Sequence, residues 1–191
     1  MSLADYKLQD FKLRRVGAMD AKIDRNVFRD LSYGLYIVAS RHEDHSNAQV
    51  VNTVIQVTAD PPRVAVIINK RNFTHELIVK SRVFSASVLE ESAPMAFFGP
   101  FGFRSGRDIN KLDKTAFKEG VTGCPLIIEH ALSVLEARVI NEIDLGTHTV
   151  FIGDVLSSET LKEGTPLTYK YYHQVLKGKS SPNAPTYESK R

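Results

Sequence analysis

Two short clusters in this chain are built from groups that grip ligands rather than react with them. Asn52, Thr53, Val54 and Gln56 lie in a β-prone stretch, Val50 to Thr58, where amides and hydroxyls are interleaved with Val and Ile. Asn69, Lys70, Arg71 and Asn72 then set two amides and two cations just before Thr74, at the entrance of a short helix. A hydrogen-bonding strand beside such an entrance suits a flat polar ring with an anionic tail, because backbone N–H groups at a helix start favour negative charge. Each cluster taken alone reads more readily as a solvated strand face or a solvated turn; their order along the chain is what points to a ligand. Further on, the glycine-rich stretch Gly99 to Asp113 carries Arg104, Arg107 and Lys111. It reads either as a surface loop or as an ordered loop that offers a lysine to an anion.

Side-chain chemistry finds little support. His75-Glu76 begins like a zinc-protease helix, but Val79 stands where the second histidine belongs. There is no Gly-x-Ser-x-Gly elbow, no dinucleotide or Walker glycine pattern, and no carboxylate pair in an apolar context. His42, Glu43, Asp44 and His45 are consecutive in a polar, hairpin-like connection (Arg41 to Ala48), cannot all converge on one ion, and read as solvated. Cys124 is the sole cysteine, which excludes an internal disulfide, a CxxC dithiol and a cysteine-ligated metal centre built from one chain. With no base marked beside it, it reads as a packed thiol. Any chemistry then falls to an organic cofactor.

The elements that must hold these groups read as short strands joined by turns. After a helical turn at Val27, Phe28 and Leu31, strands are expected at Leu35 to Ser40, Val64 to Ile68 and Val83 to Leu89. Leu126 to Ile128, Ala131 to Ile143 and His148 to Val155 complete the set. Asp60-Pro61-Pro62 ends the Val50 to Thr58 stretch, since proline cannot donate to a ladder. Thr74 is the expected N-cap of a helix carrying Leu77 and Ile78, and Ser92-Ala93-Pro94 opens a second that reaches Phe98. Six or seven short strands with two short helices predict an all-β fold with minor helix, an antiparallel Greek-key barrel. The chain divides into an N-terminal arm (1–26), one domain (27–176) and a polar tail (177–191) expected to be flexible.

A chain of 191 residues with 42% hydrophobic content can bury one core, and a net charge of +3 with scattered cations is not the basic face of a nucleic-acid binder. Phe97, Phe98, Phe101 and Phe103 nonetheless leave open a non-catalytic barrel that stacks single-stranded nucleic acid. No apolar run approaches the roughly 20 residues of a membrane span. The first residues lack the apolar core of a secretion signal, so a cytoplasmic location is expected.

In this order and spacing the motifs resemble the flavin reductase-like, FMN-binding split-barrel family, on the side of the flavoredoxins and the N-terminal flavin domains of high-molecular-weight rubredoxins. The matching residues are Tyr33 to Tyr36, Asn52 to Thr58 with Asp60-Pro61-Pro62, and Asn69 to His75. Ser105 to Asp108 with Lys111, Gly146-Thr147-His148, Ile152 to Val155, Tyr169 to His173 and Asn183 to Tyr187 follow. The resemblance implies a homodimer of six-stranded split barrels that holds FMN non-covalently near the subunit interface. NADH, NADPH or a protein would donate the electrons. It assigns Asn52, Thr53, Val54 and Gln56 to the isoalloxazine edge, and Asn69, Lys70, Arg71, Asn72 and Thr74 to the ribityl and phosphate grip. Lys111 supplies charge near the flavin, and His148 lies beside the ring as a flavin-tuning group. In rubredoxin-fused relatives an iron module follows the Asn183 to Tyr187 segment; here the chain ends within a few residues, which implies a separate electron partner such as a rubredoxin.

Overall fold

The computed structural model describes residues 23–187, so the expected arm lies outside the described residues as far as position 22. The chain divides between Leu31 and Ser32 into a short N-terminal unit and a main unit, residues 32–191. In the first unit a 3₁₀ turn, Arg25–Arg29, is capped by Asp24, whose carboxylate accepts from Asn26 N.

In the main unit the strands are β1 (Tyr36–His42), β2 (His45–Val51), β3 (Val54–Thr58), β4 (Arg63–Asn69), β5 (Val83–Leu89), β6 (Phe117–Glu119), β7 (Pro125–Ile127), β8 (Ala131–Asp144) and β9 (His148–Thr160). The helices are α1 (Phe73–Ser81), α2 (Met95–Phe103) and α3 (Tyr169–Gln174). The fold is mostly β and antiparallel with few helices, as expected, but the strand count is corrected. Seven strands form one sheet in the order β2-β1-β5-β8-β9-β4-β3, β6 and β7 form a separate hairpin, and the seven-stranded ladder is not closed.

Two local events account for the difference. The Arg41 to Ala48 connection is mostly strand, because only Glu43 and Asp44 turn, with Glu43 at φ 52. The Val50 to Thr58 stretch breaks at Asn52-Thr53, which puts β2 at one edge of the sheet and β3 at the other. Seven flat strands at about 4.8 Å spacing would be about 29 Å wide, whereas a two-residue link reaches only about 10 Å. The sheet must therefore curl until its edges meet at Asn52-Thr53. Thr53 secures the junction: its carbonyl accepts from Ile67 N and its hydroxyl donates to Ile67 O.

β1 carries a continuous buried run because it is covered on both faces. Val38 joins Val64, Val66, Ile68, Phe84 and Phe151 inside the curl. Ile37 and Ala39 pack outside it, under Phe97, Phe98 and Phe101 of α2 and Tyr172 of α3. That aromatic packing also explains why α2 runs through Gly99, Pro100 and Gly102, residues expected to begin a loop: tertiary burial overrides weak propensity.

The segment expected to be a flexible tail is placed as part of the domain as far as residue 187. Lys177 takes a left-handed turn (φ 56), and Gly178 N donates to Tyr172 O. Gly178 is needed there, since a Cβ would lie 2.2 Å from the Tyr172 ring.

Candidate functional site

Strand alternation at the end of β2 turns Asn47, Gln49 and Val51 to one side, and the break places Asn52 just beyond them. Facing them are the end of β4, the start of α1, the loop after α2, and the returning chain from Lys179 to Pro185. Between them lies a cleft of about 570 Å³, within the usual range for small-molecule sites.

Its walls carry cations in excess. Arg71, Arg104, Lys111 and Lys179 line it against one carboxylate, Asp108, and none of the four forms an ion pair among the described residues. Lys111 is only 7% exposed, and its ammonium donates to Ala48 O at 2.9 Å. Burial pulls its pKa down from 10.5 to about 8. Two buried amide oxygens of residues lining the same cleft, Asn47 Oδ1 and Asn52 Oδ1, have no hydrogen-bond donor among the described residues. Each amide nitrogen is engaged: Asn47 Nδ2 donates to Thr74 Oγ1 at 2.7 Å and Asn52 Nδ2 to Thr186 Oγ1 at 3.1 Å. Buried acceptors left bare on a cleft wall ask for a ligand donor, since native interiors satisfy almost all such groups.

Of the residues singled out in the sequence, Asn52, Asn69, Arg71, Asn72 and Lys111 line this cleft. His148 adjoins it, with Nε2 3.3 Å from Asn183 O and 3.5 Å from Asn69 Nδ2, and Nδ1 2.9 Å from Thr147 Oγ1. Thr74 is the second residue of α1 rather than its cap; Asn72 is the N-cap, and Thr74 is fully buried beneath Asn47. The remaining four lie elsewhere within this single chain. Thr53 secures the sheet junction, Val54 packs on the inner core, and Gln56 is exposed on the β3 edge. Lys70 continues the ladder by donating to Thr147 O, which turns its side chain away from that of Asn69 to an ion pair with Asp144 at 2.7 Å.

Asn47 and Gln49 were not singled out in the sequence; Arg104 entered only as one cation of the glycine-rich loop, and Asn183 to Tyr187 only as a family motif with no role at the site. The period-two spacing of Asn47, Gln49 and Val51 was the available signal, masked by the run of polar residues ahead of it. Cys124 is fully buried, with its thiol pKa raised chiefly by burial, so it is a packed thiol. Phe97, Phe98 and Phe101 are core residues, Phe97 against His130 and Phe98 against Tyr172; of the four phenylalanines only Phe103 is exposed, and one ring is no stacking platform for a nucleic acid.

Residues 28–176 match the model of the flavin reductase like domain. The chain belongs to the flavin reductase-like family. This flavin reductase-like chain is 45% identical over 169 residues to a ferric-chelate reductase (NAD(P)H) of Archaeoglobus fulgidus, covering 88% of this chain and all of that one. It is 44% identical to a high molecular weight rubredoxin of Moorella thermoacetica, over 86% of this chain and 72% of the relative. Among solved structures it resembles flavoredoxin from Methanosarcina acetivorans (TM-score 0.66, 25% identity, 76% and 79% of the two chains). It also resembles an FMN-binding protein from Thermus thermophilus (TM-score 0.63, 28% identity, 70% and 73%).

The flavin reductase-like cleft passes a chemical test for such a nucleotide. Isoalloxazine offers a ring N–H to a bare amide oxygen, and a phosphate monoester needs the unpaired cations that stand along the walls.

Proposed function

We propose that this protein is an FMN-dependent oxidoreductase that holds the flavin non-covalently in the Asn47–Asn52 cleft and takes electrons from NADH, NADPH or a protein donor. The observation that carries the assignment is the pair of donor-less buried amide oxygens, Asn47 Oδ1 and Asn52 Oδ1, in a cleft with four cations and one carboxylate.

Bound FMN supplies the redox chemistry, accepting a hydride or electrons and releasing them to an acceptor. The chain's residues bind, orient and shield it. Asn52 and Asn47 receive donors of the ring edge; Asn69, Asn72 and the N–H groups opening α1 hold the sugar and phosphate end with Arg71. Lys111, poorly solvated and with a single protein acceptor, places positive charge where reduction adds negative charge. His148 reaches the same end of the cleft through Asn69 and Asn183. Thr53, Val54, Gln56 and Lys70 support the site from the strand junction and its flank rather than from its wall.

The active form in this reading is a homodimer. On the outer face of the curled sheet, register aligns Ile55, Ala65 and Ile152 in one row and Ile67, Val150 and Ile143 in the next. Ile55 is 54% and Ile143 47% exposed, and Ile67 also lines the cleft, so a second copy covering this apolar face would close the flavin site from outside. In this reading the sheet corresponds to the split barrel of the family, with Asn52-Thr53 at the split. No described helix is long and apolar enough to cross a membrane, and a cytoplasmic location suits use of reduced nicotinamide. A ferric chelate or a separate rubredoxin-type carrier is the acceptor, by analogy with the Archaeoglobus and Moorella relatives.

The test is a visible spectrum of the purified protein after incubation with FMN and removal of excess. Bound flavin should absorb in the visible and bleach on addition of NADH or NADPH, with colour returning on addition of a ferric chelate or oxidised rubredoxin. A protein that retains no flavin overturns the reading. One that retains flavin but bleaches only with a reduced protein is a carrier of the flavoredoxin type.

A further inference from the structure

The chain beyond residue 176 lies outside the span matched to the family, yet it supplies one wall of the cleft. It is anchored before it arrives there. His173 Nδ1 lies 2.8 Å from Gly178 O, and Tyr172 OH donates to Lys179 O, so α3 fixes the reversal. The segment then meets three residues of the proposed flavin site. Asn183 Nδ2 donates to Asn72 Oδ1 at 2.9 Å, Asn183 O lies 3.3 Å from His148 Nε2, and Thr186 Oγ1 accepts from Asn52 Nδ2. Thr186 is itself held, since its hydroxyl lies 2.6 Å from Tyr169 OH, which also reaches Ser180 Oγ at 2.5 Å.

We infer that Thr186 is a positioning residue of the flavin site: seated on Tyr169, it engages the Asn52 amide nitrogen and so turns the Asn52 amide oxygen toward the ligand. The inference rests on the reading of this cleft as the FMN site. An asparagine amide can rotate by half a turn at little intrinsic cost, which exchanges donor and acceptor. At Asn52 the two orientations are unequal. With the Tyr169 proton given to Ser180 Oγ and the Thr186 proton given to Tyr169 OH, Thr186 Oγ1 keeps only lone pairs for the amide and so takes Nδ2. With Oδ1 toward Thr186, an N–H donor would face the cleft, and the N–H edge of a flavin would meet a donor. Thr186 thus decides which hydrogen-bonding character the cleft presents at this point. Thr186 itself does not line the cleft. Asn183 acts in parallel at the other end by holding the Asn72 side chain, the N-cap of α1.

The experiment uses the full-length chain with FMN as the probe. Binding is read by quenching of flavin fluorescence, and the thermal midpoint of the flavin-free protein is read alongside. Thr186→Val, which keeps the shape and removes the hydroxyl, should weaken FMN about five- to tenfold, the size of one hydrogen bond. Thr186→Ser should restore binding, and the flavin-free midpoint should be unchanged in both. In a double-mutant cycle, Thr186→Val should add little further loss to Asn52→Ala, because the first residue acts through the second. Equal FMN affinity in Thr186→Val and wild type, fully additive losses in the cycle, or a loss of affinity that tracks a lowered flavin-free midpoint overturns the inference. Wild-type protein that binds no FMN instead overturns the reading of the cleft itself.

Discussion

At Lys111 a single buried ammonium links the stability of the empty protein to the charge of its ligand. Its pKa of about 8 lies below the ordinary 10.5, so the unfolded chain binds the proton more tightly than the folded one. Stability of the flavin-free protein should therefore rise with pH between about 8 and 10.5, as the folded form sheds the proton first. FMN affinity should move the opposite way and fall as pH passes upward through about 8, where the positive charge in the cleft is lost. Lys111→Met should remove both dependences, raise the thermal midpoint at neutral pH by removing a desolvated charge, and weaken FMN. Thermal scans and flavin titrations across pH check all three. Gly106 presents a steric case beside it. A Cβ there would lie 2.0 Å from Asn47 Oδ1 and 3.2 Å from the Phe73 ring, and Asn47 cannot swing away while its nitrogen is engaged by Thr74. Gly106→Ala should cost about 1–3 kcal/mol in denaturant unfolding and displace the Asn47 amide.

Among the elements, the β6–β7 hairpin depends on one carboxylate. Glu136 of β8 is almost wholly buried and accepts from Val121 N at 2.8 Å, Thr122 N at 2.9 Å and Thr122 Oγ1 at 2.5 Å. The Gly120 Cα sits so close that a Cβ would meet the carboxylate at 2.2 Å. Ser85 Oγ on β5 donates to Pro125 O from the other side. Glu136→Ala should cost about 2–4 kcal/mol, since charge-assisted hydrogen bonds are lost together. Hydrogen exchange should speed in residues 117–127 while β4 and β9 stay protected. Uniform acceleration across the sheet would mean that the hairpin is not a separable unit.

For the whole molecule, the arrangement that matters is the meeting of the two sheet edges. Curling brings the ends of β2 and β4 together and leaves an apolar outer face on β3, β4, β9 and β8. If that face joins two copies, Ile143→Glu should yield a monomer in sedimentation equilibrium, with weaker FMN binding and an unchanged far-ultraviolet circular dichroism spectrum. A dimer that persists in that variant places the contact elsewhere.

The sequence by itself determined the class of fold and the character of the site. Period-two apolar runs mark the strands, Asp60-Pro61-Pro62 marks a chain reversal, and the Asn69 to Asn72 cluster marks a basic helix entrance, because such signals are local. Its single cysteine also excluded an internal disulfide and a CxxC dithiol. Only the tertiary structure decided which polar residues share a cleft. Lys70 and Arg71 are neighbours of the same charge, yet one pairs with Asp144 outside and the other lines the cleft, according to strand alternation and the turn it meets. The break at Asn52-Thr53 has no proline or glycine to announce it, and the contacts of Asn183 and Thr186 span more than a hundred residues of sequence. Such long-range closure depends on how the whole sheet curls, and no local pattern in the chain records it.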